Sequence, residues 1–373
     1  MKIRNHTAAL TAVAALVASA CGGAALNVAA DPDGAVVQAF ESMSEWDGAS
    51  LRLHVDSDVA SLIAMAEGDP VMTADLANAI LESFVEIKGT SGEDLADTSD
   101  DEFSVLVRVG GIDGLQVRSV DGALYLRAAV RELIEEYDTT GTALSELDEM
   151  VGQARQFGLD FADAALAGEW LQIEGLDQIA SMVEGMTGTP GQPDPSDVEA
   201  MAAELGVIFE TFVEEDVEVA YIGSEDAGEH VRLTASGDAL FDLLEQILRV
   251  AGSAAPGMGS MDPAQAIEEF RREAGADAAA FTMPLDAWIQ GETVSRIGLD
   301  LVALVQANPQ LTGDDEIPAG VERFAILVDL EEFGGGVQAP SDAVAVDLFE
   351  IFGRMMNSFG GAMGEGFGPT GPA

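Results

Sequence analysis

The chain has 373 residues, is 48% hydrophobic, and carries 67 acidic against 16 basic residues, a formal net charge of −51. The hydrophobic content excludes a disordered chain, because disorder needs low hydrophobicity together with high charge. The charge excludes nucleic acid as a partner, because counterion release from phosphates needs a positive protein surface.

Lys2 and Arg4 precede a nearly uncharged run from Thr7 to Ala20. A positive start followed by an apolar stretch reads as a secretory signal over residues 1–20. The stretch is shorter than the ~20 apolar residues that span a bilayer. Ala18, Ser19 and Ala20 lead into Cys21, the only cysteine. Small residues before a cysteine resemble the bacterial lipobox. That resemblance implies a diacylglyceryl group on the Cys21 sulfur, a mature chain that begins there, and attachment to the extracytoplasmic face of the cell membrane. The alternative is an ordinary signal cut after Ala20 or later, which leaves a spare thiol. Two acyl chains hold a protein on a membrane far better than one. No later apolar run has membrane length. After Lys2 the only lysine is Lys88. Acidity spread along a lysine-poor chain suits a surface adapted to salt, where screening relieves self-repulsion.

Residues 21–32 are small and read as a flexible tether, followed by one α+β domain over 33–359 and a Gly-rich tail over 360–373. A helix starts near Asp33 with Val36, Val37, Phe40 and Met43 on one stripe. In SLRLHVDSDV, Leu51, Leu53 and Val55 alternate with Arg52, His54 and Asp56, as in a half-buried strand. Asp69-Pro70 looks like a helix start, with Met72, Leu76, Ile80 and Phe84 following at helical spacing. FVEIKG returns to strand. After the acidic loop SGEDLADTSDDE come FSVLVRVGG and LQVRSVDGALYLRA, where Asp121-Gly122 signals a hairpin because both turn positions favour positive φ.

Residues 129–168 read as helical with breaks near Thr140 and Gly158, and GEWLQIEG as a short strand. TGTPGQPDPS is a loop. Ser196 and Glu199 form a capping box before a helix with Val198, Met201, Leu205, Ile208 and Phe212 inward. VEVAYIGSEDAGEHVRLTASG is a hairpin. ALFDLLEQIL is an amphipathic helix with Leu240, Phe241, Leu244 and Ile247 inward. After the loop GSAAPGMGSMDP and a further helix, the segments DAWIQGETVSRIGLDLVAL, RFAILVDLEEF and DAVAVDLF are strand-like. The hairpins and the lack of regular βαβ alternation predict an α+β fold: a large curved antiparallel sheet with helices over one face.

The lipobox cysteine, GASLRLHVDS, VRSVDGALYLR, GEWLQIEGLD, DAWIQGETVSRIGLDL and FAILVDLEEFGGGVQAPSDAVAV together resemble the actinobacterial lipoproteins of the LppX and LprG type, and more loosely the LolA-like carriers. The resemblance implies a half-barrel whose helices cover its concave face, with an apolar cavity that holds acyl chains. Helical segments around 60–84, 129–168, 195–213 and 262–278 look longer than that family needs. They would either enlarge such a cavity or fill it.

Signatures of catalysis are absent: there is no G-x-S-x-G, no S-x-x-K around Lys88, no P-loop and no G-x-G-x-x-G opening a helix. Beyond the signal the histidines are His54 and His230, both read as exposed on polar strand positions, too few for a zinc site. SGEDLADTSDDE lacks the spacing of a calcium loop. Met355, Met356 and Met363 read as a mobile tail and not as a copper site. No cofactor, metal or enzymatic role is expected.

The apolar strand positions Leu51, Leu53, Val55, Val105, Val107, Leu124, Leu126, Val231, Leu233 and Trp288 are expected to share one side of the sheet. They either pack as core against the helices or line a cavity for a lipid or lipoprotein ligand. The first outcome gives a cell-envelope interaction lipoprotein with a filled core and an acidic surface. The second gives a carrier of an acylated molecule.

Overall fold

A computed structural model describes residues 26–43, 46–66, 72–90, 102–138, 141–156, 158–159, 161–175, 195–254, 272, 281–308, 317–318, 320–349 and 351. Cys21, the acidic loop 91–101, Asp69-Pro70 and the residues from 352 onward lie outside them, as do the side chains of Ser196, Val198, Glu199 and Met201.

In chain order the elements are α1 (Pro32–Ser42), β1 (Gly48–Ser57), α2 (Val59–Met65), α3 (Ala74–Leu81), β2 (Phe84–Thr90), β3 (Glu102–Val109), β4 (Ile112–Val120), β5 (Ala123–Ala128), α4 (Val130–Tyr137), α5 (Ala143–Gln156), α6 (Phe161–Leu166), β6 (Leu171–Glu174), α7 (Pro195–Asp216), β7 (Val217–Glu225), β8 (Gly228–Ser236), α8 (Gly237–Ala254), β9 (Thr282–Gln290), β10 (Thr293–Asp300), α9 (Leu301–Ala307), β11 (Phe324–Glu332) and β12 (Val344–Asp347). The fold is α+β and mostly antiparallel.

The chain divides into two compact units. The first holds β1, β2 and β7 to β11, in the order β2-β1-β11-β10-β9-β8-β7. Every neighbouring pair in that order is antiparallel. Helices α1 and α7 cover part of one face. Pro32 occupies the first turn of α1 and Asp31 caps it by accepting from the Gly34 N–H at 3.2 Å, which satisfies a donor the helix cannot. Val36 and Ala39 of α1 and Val213 of α7 then pack on Val231, Ala287, Ile289, Val294 and Leu330. Phe40 meets Phe209 edge-on at 4.8 Å. Each fully buried Val or Ile side chain among these is worth about 1.5–3 kcal/mol. Leu26 and Val28 join this core, so the end of the expected tether is folded.

The second unit holds β4, β5, β6 and β12 with α4, α5 and α6, and residues 104–107 of β3. Its strand order is β12-β6-β5-β4. Asp121 and Gly122 turn β4 into β5 with φ of 51° and 72°, the positive values that such a pair favours. One pairing departs from the antiparallel expectation: β12 runs parallel to β6, Val344 against Leu171 through Asp347 against Glu174. The two strands are far apart in sequence, so no hairpin fixes their relative direction.

Two helical stripes shift. Phe84 does not continue α3; it opens β2, because α3 closes at Glu82 and Ser83 turns its hydroxyl back onto the Ala79 carbonyl at 2.6 Å. Leu244 of α8 points to solvent, because the buried line of that helix runs from Ala239 to Val250. Those positions are eleven apart, three helical turns, and Leu244 lies off that line.

Candidate functional site

Directly paired strand residues share a face. In the first unit, Leu51, Leu53 and Val55 of β1 pair with Leu330, Val328 and Ile326 of β11. Val328 and Ile326 pair with Ile297 and Leu299 of β10, and Ile297 pairs with Ala287 of β9. Ala287 and Leu285 pair with Val231 and Leu233 of β8. One apolar face therefore runs from Leu53 across to Val231. Over β8 it is closed: Val231 is wholly buried with α1 and α7 in one cluster, against which Leu233 of β8, Leu51 of β1 and Val328 of β11 also pack. It is open at one corner, where Leu53 of β1 is 43% and Ile326 of β11 36% exposed.

Trp288 does not belong to this face. The register pairs it with His230 and Arg296, so it projects from the opposite side of the sheet. The run TMPLDAWIQ itself alternates: Met283, Leu285, Ala287 and Ile289 take one side and Asp286, Trp288 and Gln290 the other, so a period of two groups Trp288 with polar residues. In the second unit, Leu124 and Leu126 share a face with Ser119 and Val117 of β4 and with Ile173 and Leu171 of β6, and both are half-buried. Val105 and Val107 are half-buried on one side of β3.

The side of the first unit's sheet that carries Trp288 is charged. His230, expected to be exposed, is 7% exposed and stacks on the Trp288 ring at 4.5 Å between centroids. Its Nδ1 lies 2.9 Å from Glu225 Oε1 and its Nε2 lies 3.0 Å from Asp286 Oδ1. A neutral imidazole donates from one nitrogen only, so both contacts are hydrogen bonds only when the ring is protonated. Arg232 donates to both oxygens of Asp286, at 2.8 and 2.9 Å. The Trp288 indole N–H donates to Glu225 Oε2 at 2.9 Å and is the largest influence holding that carboxyl below its ordinary value; His230 adds to it.

Further along the same face, Arg296 donates to Asp329 at 2.6 Å, and His54, half-buried, meets Asp329 at 3.0 Å. Arg52 and Lys88 reach Glu86 at 2.6 and 2.7 Å. Burial works to raise the Glu86 carboxyl, but the hydrogen bonds and charges of Lys88 and Arg52 outweigh it and leave the group lowered. Every charged group in this array has an opposite partner. The array orders the sheet and presents no nucleophile beside a base.

A cleft of about 280 Å³ lies in the second unit, lined by Arg131, Asp148, Val151, Arg155, Asp163, Leu166 and Ala167. Arg131 pairs with Asp148 at 2.6 Å and Arg155 pairs with Asp163, so its charges are also matched. Among the described residues no group of three or more His, Cys, Asp or Glu is placed to hold a metal, and no helix is long and apolar enough to cross a membrane.

No protein-family model matches the chain, and no curated protein matches it. Two solved structures are similar to it. One is the lipoprotein LppX of Mycobacterium tuberculosis, at 8% identity and a TM-score of 0.29 over 83% of this chain and 100% of that one. The other is LprF of Mycobacterium bovis, at 8% identity and a TM-score of 0.30 over 86% of this chain and 100% of that one. The first is of the kind that the sequence motifs resemble. Likeness at this level says nothing of a ligand.

Proposed function

We propose that this protein is a non-enzymatic, lipid-anchored, extracytoplasmic lipoprotein that binds or carries an apolar, acylated molecule. The observation that carries the reading is the open corner of the apolar sheet face, where Leu53 and Ile326 are exposed although their strand neighbours are apolar and the same face over β8 is closed core. An acyl chain laid there leaves water at a gain of ~0.8 kcal/mol per methylene and needs no specific polar contact. The Cys21 sulfur, diacylglycerylated, supplies the anchor. A second reading, an envelope interaction lipoprotein with a filled core, is favoured by the close burial of Val231 and Ala287.

Native mass spectrometry of the soluble form that begins after Cys21 separates the two. The carrier predicts a co-purified lipid mass, lost in Leu53→Glu with an unchanged melting temperature, because that side chain is already exposed. A wild-type protein free of lipid, or a variant that keeps its load, sinks the carrier reading. For the anchor, Cys21→Ser is expected to move the full-length protein from the membrane fraction to the soluble one. Retention in the membrane fraction at high salt would overturn it.

A further inference from the structure

We propose that the free edge of β7 takes an extended, basic segment of a partner protein as an added strand. β7 stands at the end of the first unit's strand order and pairs with β8 alone. Among the described residues its outer side meets no backbone partner. Such an edge presents a row of unpaired N–H and C=O groups, which is the template used in strand addition.

β7 is nine residues long and contains no proline and no lysine. Its register shifts between Tyr221 and Gly223, which leaves Val217 to Tyr221 regular. Two large apolar side chains stand exposed at this edge, Tyr221 and Ile222.

Charge selects the partner. Glu214, Glu215 and Asp216 end α7 and run directly into β7, where Glu218 follows. All four are exposed, and no ion pair or side-chain hydrogen bond engages their carboxylates among the described residues. The last turn of α7 has no basic residue, so the three terminal acids sit at the negative end of the helix dipole, where carboxylates are disfavoured. A second copy of a chain with net charge −51 is repelled from this edge. A strand bearing Lys or Arg is attracted to it.

The register supplies the rest of the pattern. Val219 and Tyr221 pair with Leu233 and Val231 on the apolar face, while Glu218 and Ala220 pair with Thr234 and Arg232 on the other. A strand laid beside β7 therefore places alternate residues over each face: apolar beside Val219 and Tyr221, basic beside Glu218.

The test uses a blocked peptide Lys-Val-Lys-Val-Thr-Val-Lys and its counterpart with Glu for Lys, titrated into the mature protein at low salt. The lysine peptide is expected to bind and to slow hydrogen exchange of the β7 amides; the glutamate peptide is expected not to bind. Glu218→Lys, at an exposed position, should keep the circular dichroism spectrum and weaken the lysine peptide about five- to tenfold, the effect of turning an opposite-charge cross-strand pair into a like-charge one. Binding without added protection in β7 would mean adhesion by charge elsewhere and would overturn the proposal. So would equal binding of both peptides, or self-association of the chain through β7 in sedimentation.

Discussion

Gly298 sits beneath Trp288. A Cβ added there would lie 2.7 Å from Leu327 Cδ2 and 3.1 and 3.2 Å from two carbons of the indole ring. The indole also stacks on His230 and donates to Glu225, so it is held on two sides. Gly298→Ala is therefore expected to push the ring off the glycine and cost about 1–3 kcal/mol by overpacking. Thermal melts would check this; an unchanged melt would mean that Leu327 yields freely. The glycine was visible in the sequence, but its ceiling was not, because Trp288 approaches from another strand.

α2 shows how a short element depends on one cap. Its first turn is closed by Asp58, whose Oδ1 accepts from the Ser61 N–H at 2.8 Å and whose Oδ2 accepts from the Ser61 hydroxyl at 2.7 Å. The Ser61 backbone bond first, then its hydroxyl, hold the Asp58 carboxyl below its ordinary value of 3.8. The same hydroxyl accepts from Glu322 N at 3.1 Å and so ties the helix to the segment before β11. A carboxyl lowered in the folded state stabilises above its unfolded pKa, and that contribution is lost as pH falls through the folded value. The melting difference between wild type and Asp58→Ala is thus expected to be constant near neutrality and to close as the pH drops through 3.8 and below. A difference that persists unchanged in strong acid would show that the cap acts through something other than the ionised carboxylate. In the sequence Asp58 falls inside the strand-like stretch SLRLHVDSDV and carries no separate cap signal, because Asp suits strand ends and caps alike.

Over the whole molecule the acidic excess has few cations to meet it. Among the described residues Arg52, Lys88, Arg131, Arg155, Arg232, Arg249, Arg296 and Arg323 each pair with a carboxylate. With a net charge of −51 most carboxylates are left to repel one another. Sodium chloride raised from low to molar concentration is expected to raise the melting temperature, since screening shortens the reach of that repulsion from ~10 Å at 0.1 M to ~3 Å at 1 M. A melt that stays flat or falls would remove the argument for salt adaptation.

What the sequence alone determined is local or summed over the chain. The turn at Asp121-Gly122 follows from φ preferences within two residues, and the strand at Leu51, Leu53 and Val55 from a period of two. Net charge, the apolar run from Thr7 to Ala20 and the lone cysteine need no fold at all to be read. What only tertiary structure decided is whatever depends on partners distant in sequence. His230 is buried because Asp286, 56 residues away, and Trp288 close over it. Trp288 lies on the side of the sheet away from Val231 because the β8–β9 register pairs it with His230 and pairs Ala287 with Val231. β12 lies parallel to β6 with no hairpin between them. The apolar face is core at Val231 and open at Leu53 because the cluster that α1 and α7 join leaves that corner uncovered, and an alternating pattern records that a face is apolar without recording what covers it.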